Sequence, residues 1–470
     1  MVDVLVVGAG PTGLTLALDL ARRGVSCRIV DRATEHAGGS RGRGMQPRTQ
    51  EVMHDLGLLD DVYAHGSLYP PIRAYAGDQV VWEGVMSEHT EPTADVPFPN
   101  AWMIPQWRTA QLLRSRLAGF GVEVELGREL TAIEQDDDGV TAVVGDERIR
   151  VAYVVGADGG RGPTRRLLGV PFEGKTEEDI RVLVADVTVD GLDRDHWHMW
   201  RSADDPERVV GLCPMGGTDY FQLTVTTPPA GLDTLDEIGD HVTALTGRPD
   251  IRPTGLTWVT EWRPNIRMAT RFRVGRVFLA GDAAHVHPPT GGQGLNTGIQ
   301  DAYNLGWKLG AVLAGGPVSL LDTYEEERLP VAAHVLGLSE KILRRDLKNM
   351  MSAHRGDEER QLGITYQGGS LAVDSRPAPG AVVGGDRAPN APVGDGRDLF
   401  EVFRGPQATL LGFGTEEGVA VSDPEAYRIY DVTPGTYVLV RPDGYIGVIT
   451  RDLATVAAYP VAGLPRVVVG

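Results

Sequence analysis

Cysteine is nearly absent from this chain, whose 470 residues include only Cys27 and Cys213, far apart in the sequence. Two distant cysteines cannot supply the disulfide framework of a small secreted domain or a cysteine-ligated zinc site. The sequence therefore favours a reducing compartment, and we expect a cytoplasmic protein.

Positive charge is also scarce. The chain has 45 Lys and Arg against 64 Asp and Glu, a formal net charge of −19, which argues against nucleic acid or an anionic membrane as a partner. No apolar run reaches the ~20 residues needed to span a bilayer, and the N-terminus enters its first strand without a basic leader. We therefore expect no targeting segment and no membrane span. The remaining composition is that of an ordinary globular protein, long enough for two or three domains.

The pattern of residues 4–31 is typical of a dinucleotide-binding unit. Val4-Leu5-Val6-Val7 is a short apolar run, as expected of a buried parallel strand. It leads into Gly8-Ala9-Gly10-Pro11-Thr12-Gly13, which has the spacing G-x-G-x-x-G, and an apolar helical stretch then runs to Gly24. Residues 27–30 indicate a second strand that ends at Asp31.

Each residue type in this pattern has a physical role. Gly8 permits the tight turn from strand to helix, Gly10 removes the Cβ that would block a pyrophosphate, and Gly13 lets the helix pack closely on the strand. The helix N-terminus attracts the anion. Asp31 can accept hydrogen bonds from the ribose hydroxyls of an adenosine and would repel a 2′-phosphate, so the predicted ligand is FAD or NAD. The glycines alone would also fit a plain turn in an ordinary α/β unit, but strand, helix and terminal acid together favour the dinucleotide.

A glycine-rich basic segment, residues 38–44, follows the second strand and contains Arg41 and Arg43. Two arginines at this place could reach a pyrophosphate from the side opposite the helix N-terminus. A solvated basic loop explains the same residues equally well. Helices are predicted from Pro47 to about Leu58 and from Arg108 onward.

Two later strands also end in an acid. Residues 151–156 form a buried run that ends in Gly156-Ala157-Asp158-Gly159, although Asp-Gly is common in ordinary turns. Residues 275–280 deliver Asp282, and a loop rich in proline and glycine then opens a long helix predicted over 295–313. A second helix N-terminus therefore points at the same nucleotide face.

The second of these acids has an alternative interpretation. Asp282, His285 and His287 could be metal ligands. The chain offers no third clustered His or Cys, and the prolines of the loop fit cofactor packing better, so we expect no metal site.

The middle of the chain predicts a separate sheet. Residues 66–105 indicate hairpins that leave the nucleotide-binding part and return to it, and residues 180–227 alternate as strands before a helix over 235–245. These segments predict an inserted antiparallel sheet that could be a substrate platform. Trp200, Met215 and Tyr220 could line its pocket, although plain packing explains them as well.

The last part of the chain is predicted to be a unit of its own. A charged amphipathic helix is expected over about 320–350, and glycine and proline then become frequent over 368–394, which marks a boundary. Residues 398–470 have an α/β pattern with strands near 408–411 and 437–440.

Taken together, these motifs resemble those of the class A flavoprotein monooxygenases, the superfamily of para-hydroxybenzoate hydroxylase and phenol hydroxylase. The branch that they resemble is the aromatic polyketide hydroxylases with a third domain. The resemblance covers essentially the whole chain and rests on three motifs in order. They are Gly8-x-Gly10-x-x-Gly13 with Asp31, Gly156-Ala157-Asp158-Gly159, and Gly281-Asp282-Ala283-Ala284-His285 with Pro288-Pro289 and Gly292-Gln293-Gly294-Leu295-Asn296.

The resemblance implies an α/β fold with three parts. A Rossmann-like FAD-binding domain would occupy residues 1–375, with a substrate-binding middle domain of antiparallel sheet formed by about 70–105 and 172–272. A thioredoxin-like domain would occupy 380–470, with the opening motif Arg387-Ala388-Pro389-Asn390-Ala391-Pro392. No cysteine follows Cys213, so this domain cannot perform thiol chemistry and is expected to be structural or to make an oligomer contact in a monomer or homodimer.

The resemblance also implies the ligands and their residues. FAD would be the cofactor and NADPH or NADH a transient reductant, because no second G-x-G-x-x-G is present. Asp282 would bind the ribityl chain, and Gln106 and residues 288–296 would lie along the flavin ring. The full set of expected FAD-binding residues is Gly8, Gly10, Pro11, Thr12, Gly13, Asp31, Arg32, Arg41, Arg43, Gln106, Leu130, Asp158, Gly281, Asp282, Pro289, Gly292, Gly294, Leu295 and Asn296.

The activity implied is hydroxylation of a bulky aromatic, phenolic polyketide-type substrate with O2, through a flavin C4a-hydroperoxide. No catalytic residue is identified, because a phenol is activated by its own ionisable hydroxyl. Two alternatives stay open: Baeyer–Villiger oxygenation or antibiotic modification on the same scaffold, and a reductive flavoprotein that transfers no oxygen.

Overall fold

The structure is a computed structural model that describes residues 2–202, 205, 207–229, 231–288, 290–348 and 355–460. The α-helices of these residues are α1 (Pro11–Arg22), α2 (Pro47–Asp55), α3 (Leu59–Ala64), α4 (Gln106–Ala118), α5 (Pro163–Leu167), α6 (Leu235–Thr246), α7 (Gly294–Leu313), α8 (Asp322–Lys348), α9 (Leu399–Phe403), α10 (Pro424–Tyr430) and α11 (Leu453–Ala457). Short 3-10 helices cover Gly281–Ala283, Thr290–Gly292, Val318–Leu321 and Glu358–Arg360.

The β-strands number in chain order from the N-terminus. They are β1 (Val4–Val7), β2 (Cys27–Val30), β3 (Gly44–Met45), β4 (Ser67–Leu68), β5 (Ile72–Ala76), β6 (Gln79–Gly84), β7 (Trp102–Met103), β8 (Val124–Glu125), β9 (Leu130–Gln135), β10 (Val140–Val144), β11 (Glu147–Val151), β12 (Tyr153–Gly156), β13 (Phe172–Thr176), β14 (Val182–Asp190), β15 (Trp197–Arg201), β16 (Val209–Pro214), β17 (Phe221–Thr226), β18 (Arg252–Trp262), β19 (Asn265–Ala269), β20 (Arg273–Val274), β21 (Val277–Leu279), β22 (His285–Val286), β23 (Val373–Asp374), β24 (Thr409–Phe413), β25 (Val419–Val421), β26 (Thr436–Val440) and β27 (Ile446–Thr450).

A six-stranded sheet carries the nucleotide-binding pattern, in the order β20-β21-β12-β1-β2-β8. Strand β1 pairs in parallel with β2 and with β12, so the strands predicted to end at Asp31 and Asp158 are its immediate neighbours. Both faces of the sheet are covered: Val4 and Val6 pack with α1, α4 and α7, whereas Leu5 and Val7 pack against the sheet of β9–β11. Burial on both faces explains why β1 is a continuous apolar run. The predicted α/β fold is confirmed.

A seven-stranded sheet, β18-β14-β17-β16-β15-β5-β6, contains the strands of the middle of the chain. Its apolar face, which includes Ala185, Leu212 and Leu223, packs on Ile238 and Val242 of α6. The sheet was expected to be antiparallel throughout, but β5 pairs with β15 in parallel. Parallel pairing is possible because β5 comes from an earlier excursion of the chain, so no tight hairpin joins it to β15.

A five-stranded sheet, β23-β27-β26-β24-β25, forms the last unit. Its edge strand Val373–Asp374 lies just before the expected boundary at residue 375 and pairs with β27. The turn between β26 and β27 is buried against the helices of the first unit, where Arg441 and Asp443 are 2% and 1% exposed.

Helix boundaries differ slightly from those expected. Helix α4 begins at Gln106 rather than Arg108, because Pro105 occupies the N-cap position. Helix α8 covers Asp322–Lys348. Of its predicted span, residues 320 and 321 belong to the preceding 3-10 helix, and residues 349 and 350 fall outside the described residues. No helix in the described part of the chain is long and apolar enough to cross a membrane.

Candidate functional site

The three glycines of the first motif meet different surroundings. Gly8 has φ +105°, and a Cβ there would lie 2.3 Å from the carbonyl oxygen of Ala157. A Cβ on Gly13 would lie 1.9 Å from the carbonyl oxygen of Gly8, so helix and strand could not pack as they do. A Cβ on Gly10 would meet nothing within 4 Å. Space for a ligand therefore opens above Gly10 alone, as a pyrophosphate requires.

The N-terminus of α1 faces this space. Pro11 stands in the first turn, and no side chain caps the helix, so its first amides are left for an anion. Asp31 is held at the end of β2, where one carboxylate oxygen accepts from the Ala9 amide at 2.7 Å and the other from the Ala33 amide at 2.9 Å. Arg32 beside it is exposed. The surroundings of Gly10 and Asp31 fit a dinucleotide.

The third motif touches the first through Thr12. A Cβ on Gly281 would lie 2.6 Å from Thr12 Oγ1, and a Cβ on Gly298 of α7 would lie 2.4 Å from the same oxygen. The loop that carries Asp282 and the long helix α7 thus converge on the start of α1. Two segments more than 260 residues apart in the sequence form one site.

Asp282 points away from the protein core. It is exposed to solvent, yet the surrounding protein raises the pKa of its carboxyl above the usual value, against the opposing charges of His285 and Arg41. This placement leaves the oxygens of Asp282 available to a ligand.

The loop before α7 is tied to the segment after Arg43. Asn296 is fully buried, and its Nδ2 donates to the carbonyls of Gly44 at 2.8 Å and Gly292 at 2.6 Å. Its Oδ1 accepts from the Gln46 amide at 2.8 Å, and Gln46 Nε2 donates to the Gly291 carbonyl at 3.0 Å. The side chain of Asn296 therefore fixes the loop, and Gln46 is a second residue that holds it, one that the sequence interpretation missed.

The remaining residues of this loop are placed as follows. A Cβ on Gly294 would lie 3.3 Å from the His287 ring, and Leu295 lies near Gly42. Pro289 lies outside the described residues.

Gln106 belongs to the same cluster. Its side-chain Oε1 accepts from the backbone amide of Gly42 at 3.1 Å, and its backbone amide donates to the Gly42 carbonyl at 3.0 Å. This double contact holds the basic segment near the start of α7, because a Cβ on Gly42 would lie 3.9 Å from Leu295 Cβ.

The two arginines of the basic segment diverge. Arg41 is exposed on the side of Asp282, where its charge lowers the pKa of that carboxyl. Arg43 instead turns to the seven-stranded sheet, where its Cζ lies 4.3 Å from the ring centroid of Trp197 and its guanidinium donates to Gln222 Oε1. Binding of a pyrophosphate by these arginines therefore stays a prediction. The observed conformation of Arg43 does not support it for that residue.

The polar face of the seven-stranded sheet clamps Ser40. Asp186 Oδ2 accepts from the Ser40 amide at 3.1 Å, and Gln222 Nε2 donates to the Ser40 carbonyl at 2.5 Å. Asp186 and Gln222 are cross-strand partners on β14 and β17. The basic segment is thus bonded on one side to the sheet and on the other to Gln106.

Asp186 carries an ionisation cost. Burial raises the pKa of its carboxyl to about 6, although Ser40 and Arg43 act in the opposite direction. One oxygen, Oδ1, has no hydrogen-bond partner. A carboxylate with an unpartnered buried oxygen is costly to ionise.

We expect Asp186→Asn to stabilise the protein at neutral pH. For an acid with a raised pKa, the cost is absent below the unfolded value near ~3.9 and complete above the folded value of about 6. The gain should therefore be about 2–3 kcal/mol at pH 8 and roughly half of that at pH 5. Asparagine keeps the acceptor for the Ser40 amide. Thermal unfolding of both proteins at the two pH values measures the difference, and an equal gain at pH 5 and pH 8 would contradict this ionisation cost.

The main chain of Asp158 lies beside the first motif, because a Cβ on Gly8 would lie 2.8 Å from the Asp158 Cα. Asp158 Oδ2 accepts from the amide and hydroxyl of Thr164, at 2.9 and 2.7 Å, and its Oδ1 is buried without a partner. Leu130 is buried in the core beneath β1. Their roles at a cofactor stay predictions.

The candidate platform residues are not grouped at the polar face. Trp200 packs with Ala185 and Ile238 on the opposite, α6-covered face, and its indole donates to the Gly77 carbonyl at 3.0 Å. This placement supports the packing interpretation of Trp200. Met215 is fully buried, and Tyr220 is half-buried.

Of the residues considered as metal ligands, His285 has a protein partner, because its Nε2 donates to Asp301 Oδ2 at 2.7 Å. In the described part of the chain, no three His, Cys, Asp or Glu side chains are grouped as a metal ion would need.

Known proteins resemble this chain in sequence and in fold. A sequence profile of the FAD binding domain family matches residues 1–339. A flavin-dependent monooxygenase of Mycobacteroides abscessus is 45% identical over 470 residues, which cover 97% of this chain and 98% of that protein. A rifampicin monooxygenase of Streptomyces venezuelae is 40% identical over 344 residues, which cover 72% of this chain and 70% of that protein. Among solved structures, a ternary complex of aklavinone-11 hydroxylase with FAD and aklavinone has a TM-score of 0.81 at 28% identity and covers 96% of both chains.

Proposed function

The chain belongs to the FAD binding domain family and is a flavin-dependent monooxygenase with FAD as its cofactor, and on this basis we propose that it hydroxylates a bulky aromatic substrate of the phenolic polyketide type. One observation carries the proposal: the segment Ser40–Arg43 is bonded to Gln106 on one side and to the polar face of the seven-stranded sheet on the other. A substrate held at that face would lie beside the expected flavin ring.

In the proposed site, FAD runs from Gly10 to the start of α7. The amides at the N-terminus of α1 would hold the pyrophosphate, Asp31 the adenosine ribose and Asp282 the ribityl hydroxyls. Residues Gly292 to Leu295 would lie along the ring, held in place by Asn296. When bound, FAD supplies the redox chemistry that activates O2 and delivers one oxygen atom to the substrate.

The chain's own contribution is positioning and exclusion of water. Trp197, with Arg43 against its ring, offers an aromatic surface and a positive charge at the polar sheet face. Such a pair suits an aromatic ring whose hydroxyl ionises, because the guanidinium stabilises a phenolate. No protein base is assigned to the reaction.

The reductant and O2 belong to the proposal as well. With one dinucleotide pattern in the chain and FAD in it, NADPH or NADH would dock transiently elsewhere and leave after hydride transfer. We further propose the domain division given above, with the seven-stranded sheet as the substrate domain and the five-stranded sheet as a thioredoxin-like unit without thiol chemistry, in a cytoplasmic monomer or homodimer. Support comes from the sheet topology and from Cys27 and Cys213, both free and buried.

Isotope labelling tests the function. Purified holoenzyme with NADPH and rifampicin, or a simple hydroxyanthraquinone, under 18-O2 should yield a product with one labelled hydroxyl oxygen. A labelled product that alkali cleaves as an ester would indicate Baeyer–Villiger oxygenation instead. NADPH oxidation that yields a reduced, unlabelled product would overturn the monooxygenase proposal for these substrates.

Removing the Asp282 carboxylate should deplete the folded protein of FAD. A lost charge-assisted hydrogen bond costs ~1.5–3 kcal/mol, so Asp282→Ala should weaken FAD binding roughly ten- to hundredfold. Flavin fluorescence titration of the apoprotein gives the affinity. Asp138→Ala, in an exposed turn, is the matched control. Equal FAD affinities in the two variants would refute the ribityl assignment.

A further inference from the structure

A buried carboxylate stands behind the loop that presents Asp282. Asp301 of α7 is fully buried, and its Oδ2 accepts from the Gly281 amide at 3.0 Å and from His285 Nε2 at 2.7 Å. Its Oδ1 accepts from Arg328 Nε at 2.7 Å. Asp301 therefore holds both ends of the turn on which Asp282 sits.

Arg328 links this carboxylate to the part of the chain after residue 355. Its guanidinium is fully buried, and it donates to the Tyr366 hydroxyl at 3.0 Å and to the Thr297 carbonyl at 3.2 Å. Thr297 lies in the first turn of α7, next to the residues expected at the flavin ring. Arg328 thus connects Tyr366 to the Gly281–Asp282 turn, through Asp301, and to the start of α7, through Thr297.

Tyr366 rests on the turn between β26 and β27. Its ring centroid lies 4.3 Å from that of Tyr445, and Arg441 Cζ lies 5.3 Å from the Tyr366 ring. Buried ion pairs hold this turn. Arg441 donates to Glu327 of α8 at 2.6 Å and to Asp443 within the turn at 2.6 Å. The last sheet is therefore continuous with the network that ends at Asp301.

Arg48 closes the other side of the same turn. It donates to the Asp443 carbonyl at 2.5 Å, and its Cζ lies 4.8 Å from the Tyr445 ring. Helix α2, which carries Arg48, begins directly after the segment that Asn296 binds. The turn thus reaches the cofactor loops by two routes.

The charged groups of this network depend on one another. Its charged groups are buried, so any group that loses its partner is left with a desolvation cost that the protein cannot relieve. The neighbouring charges act on one another: burial lowers the pKa of Lys308 to about 8, and the positive charge of Arg441 also lowers it, against the attraction of Glu327. A fully satisfied buried network of this kind also makes the surrounding structure more rigid.

We propose that the turn between β26 and β27, acting through Tyr366 and Arg328, is a positioning element for FAD. The last sheet would hold the Gly281–Asp282 turn and the start of α7 in the geometry that binds the cofactor, without touching it. The inference rests on the proposed placement of FAD over Asp282. By reciprocity, FAD binding should also stabilise the turn.

The Tyr366 hydroxyl is the place to break the link. In Tyr366→Phe, Arg328 Nη1 loses its acceptor and the guanidinium competes for Asp301 Oδ2, the oxygen that holds Gly281 and His285. The ring, and with it the contact with Tyr445, is kept. The FAD dissociation constant should rise about tenfold, within the roughly 5- to 150-fold range of coupling between sites.

The control is Tyr437→Phe, which removes a tyrosine hydroxyl of the same sheet that donates to Glu417 at 2.7 Å on the exposed side. The FAD affinity of Tyr437→Phe should equal that of the parent. Both variants should be titrated at a temperature well below the melting temperature of each apoprotein, so that both are folded. Asp282→Ala separates the two proposals. Normal FAD affinity in Asp282→Ala would refute the placement of FAD. Weakened FAD affinity in Asp282→Ala, together with parental FAD affinity in Tyr366→Phe, would refute only the coupling.

A second measurement needs no variant. The amides of Gly444 and Ile446 donate to the carbonyls of Arg441 and Asp386 inside the last unit, remote from the candidate cofactor loops. Hydrogen exchange of the parent protein with and without FAD should show slower exchange of these amides when FAD is bound. Identical exchange in both states would overturn the inference, because a turn that affects FAD binding must itself be affected by FAD.

Discussion

Replacing Glu327 by glutamine should lower the free energy of unfolding by about 3–5 kcal/mol. Glu327 is 4% exposed and bonds Lys308 Nζ at 2.7 Å and the Arg441 guanidinium at 2.6 and 2.9 Å. The neutral amide leaves two buried cations with a single remaining carboxylate, Asp443, between them. Because these groups join the last sheet to α7 and α8, the lost stability should appear as weaker packing of the last sheet against these two helices.

The pH dependence gives the sign of this effect. Burial alone would raise the pKa of Glu327, but the charges of Arg441 and Lys308 outweigh it and hold the pKa well below its usual value. Such a carboxylate stabilises the fold fully above its unfolded pKa of about 4.3, and this contribution is lost as the pH falls below that value. The difference between Glu327→Gln and the parent should therefore narrow on acidification.

Urea unfolding at pH 7 and pH 4 measures both effects. The control is Glu134→Gln, which removes a carboxylate that is 67% exposed and pairs with Arg148 on the surface. An exposed pair of this kind contributes about 0–1 kcal/mol. A loss in Glu327→Gln no larger than that of the control would mean that the buried pairs add no net stability.

Alanine at Gly10 and at Gly13 should separate cofactor binding from folding. Nothing lies within 4 Å of a Cβ on Gly10, so Gly10→Ala should fold with near-parental stability, while its methyl group occupies the space that a pyrophosphate needs. FAD affinity should fall on the order of 100-fold, which corresponds to about 2.7 kcal/mol.

Gly13→Ala should act in the opposite way. Its Cβ would lie 1.9 Å from the Gly8 carbonyl oxygen, a backbone atom that cannot move aside, so α1 must shift off β1. We expect a loss of stability of about 3 kcal/mol, at the upper end of ordinary overpacking costs. FAD binding should fall as a consequence of that shift.

The two variants check each other. Circular dichroism melting of the apoproteins and flavin titration at a temperature where both are folded give stability and affinity separately. A Gly10→Ala protein that binds FAD as tightly as the parent would place the pyrophosphate elsewhere. A Gly13→Ala protein with parental stability would show that helix and strand can separate freely.

Several features of this protein were predictable from the sequence because they depend on neighbouring residues. The strand β1, the glycine turn and helix α1 follow from apolar periodicity and from the backbone conformations open to glycine, and all appear where expected. The same holds for α7, which begins within one residue of the predicted start. The sequence also predicted that the start of α7 would point at the same nucleotide face as the start of α1, and Gly281 and Gly298 do lie against Thr12.

The tertiary structure alone decided how these elements are joined. Neither the parallel pairing of β5 with β15 nor the turn of Arg43 toward Trp197 has a local signal, because each depends on how separate parts of the chain dock. The partners of Asp301 make the same point, because its carboxylate binds Arg328, which lies 27 residues away in the sequence. Local sequence determines which backbone conformations and faces are available, whereas the pairing of buried charges depends on which faces meet, and that is settled only when the whole chain packs.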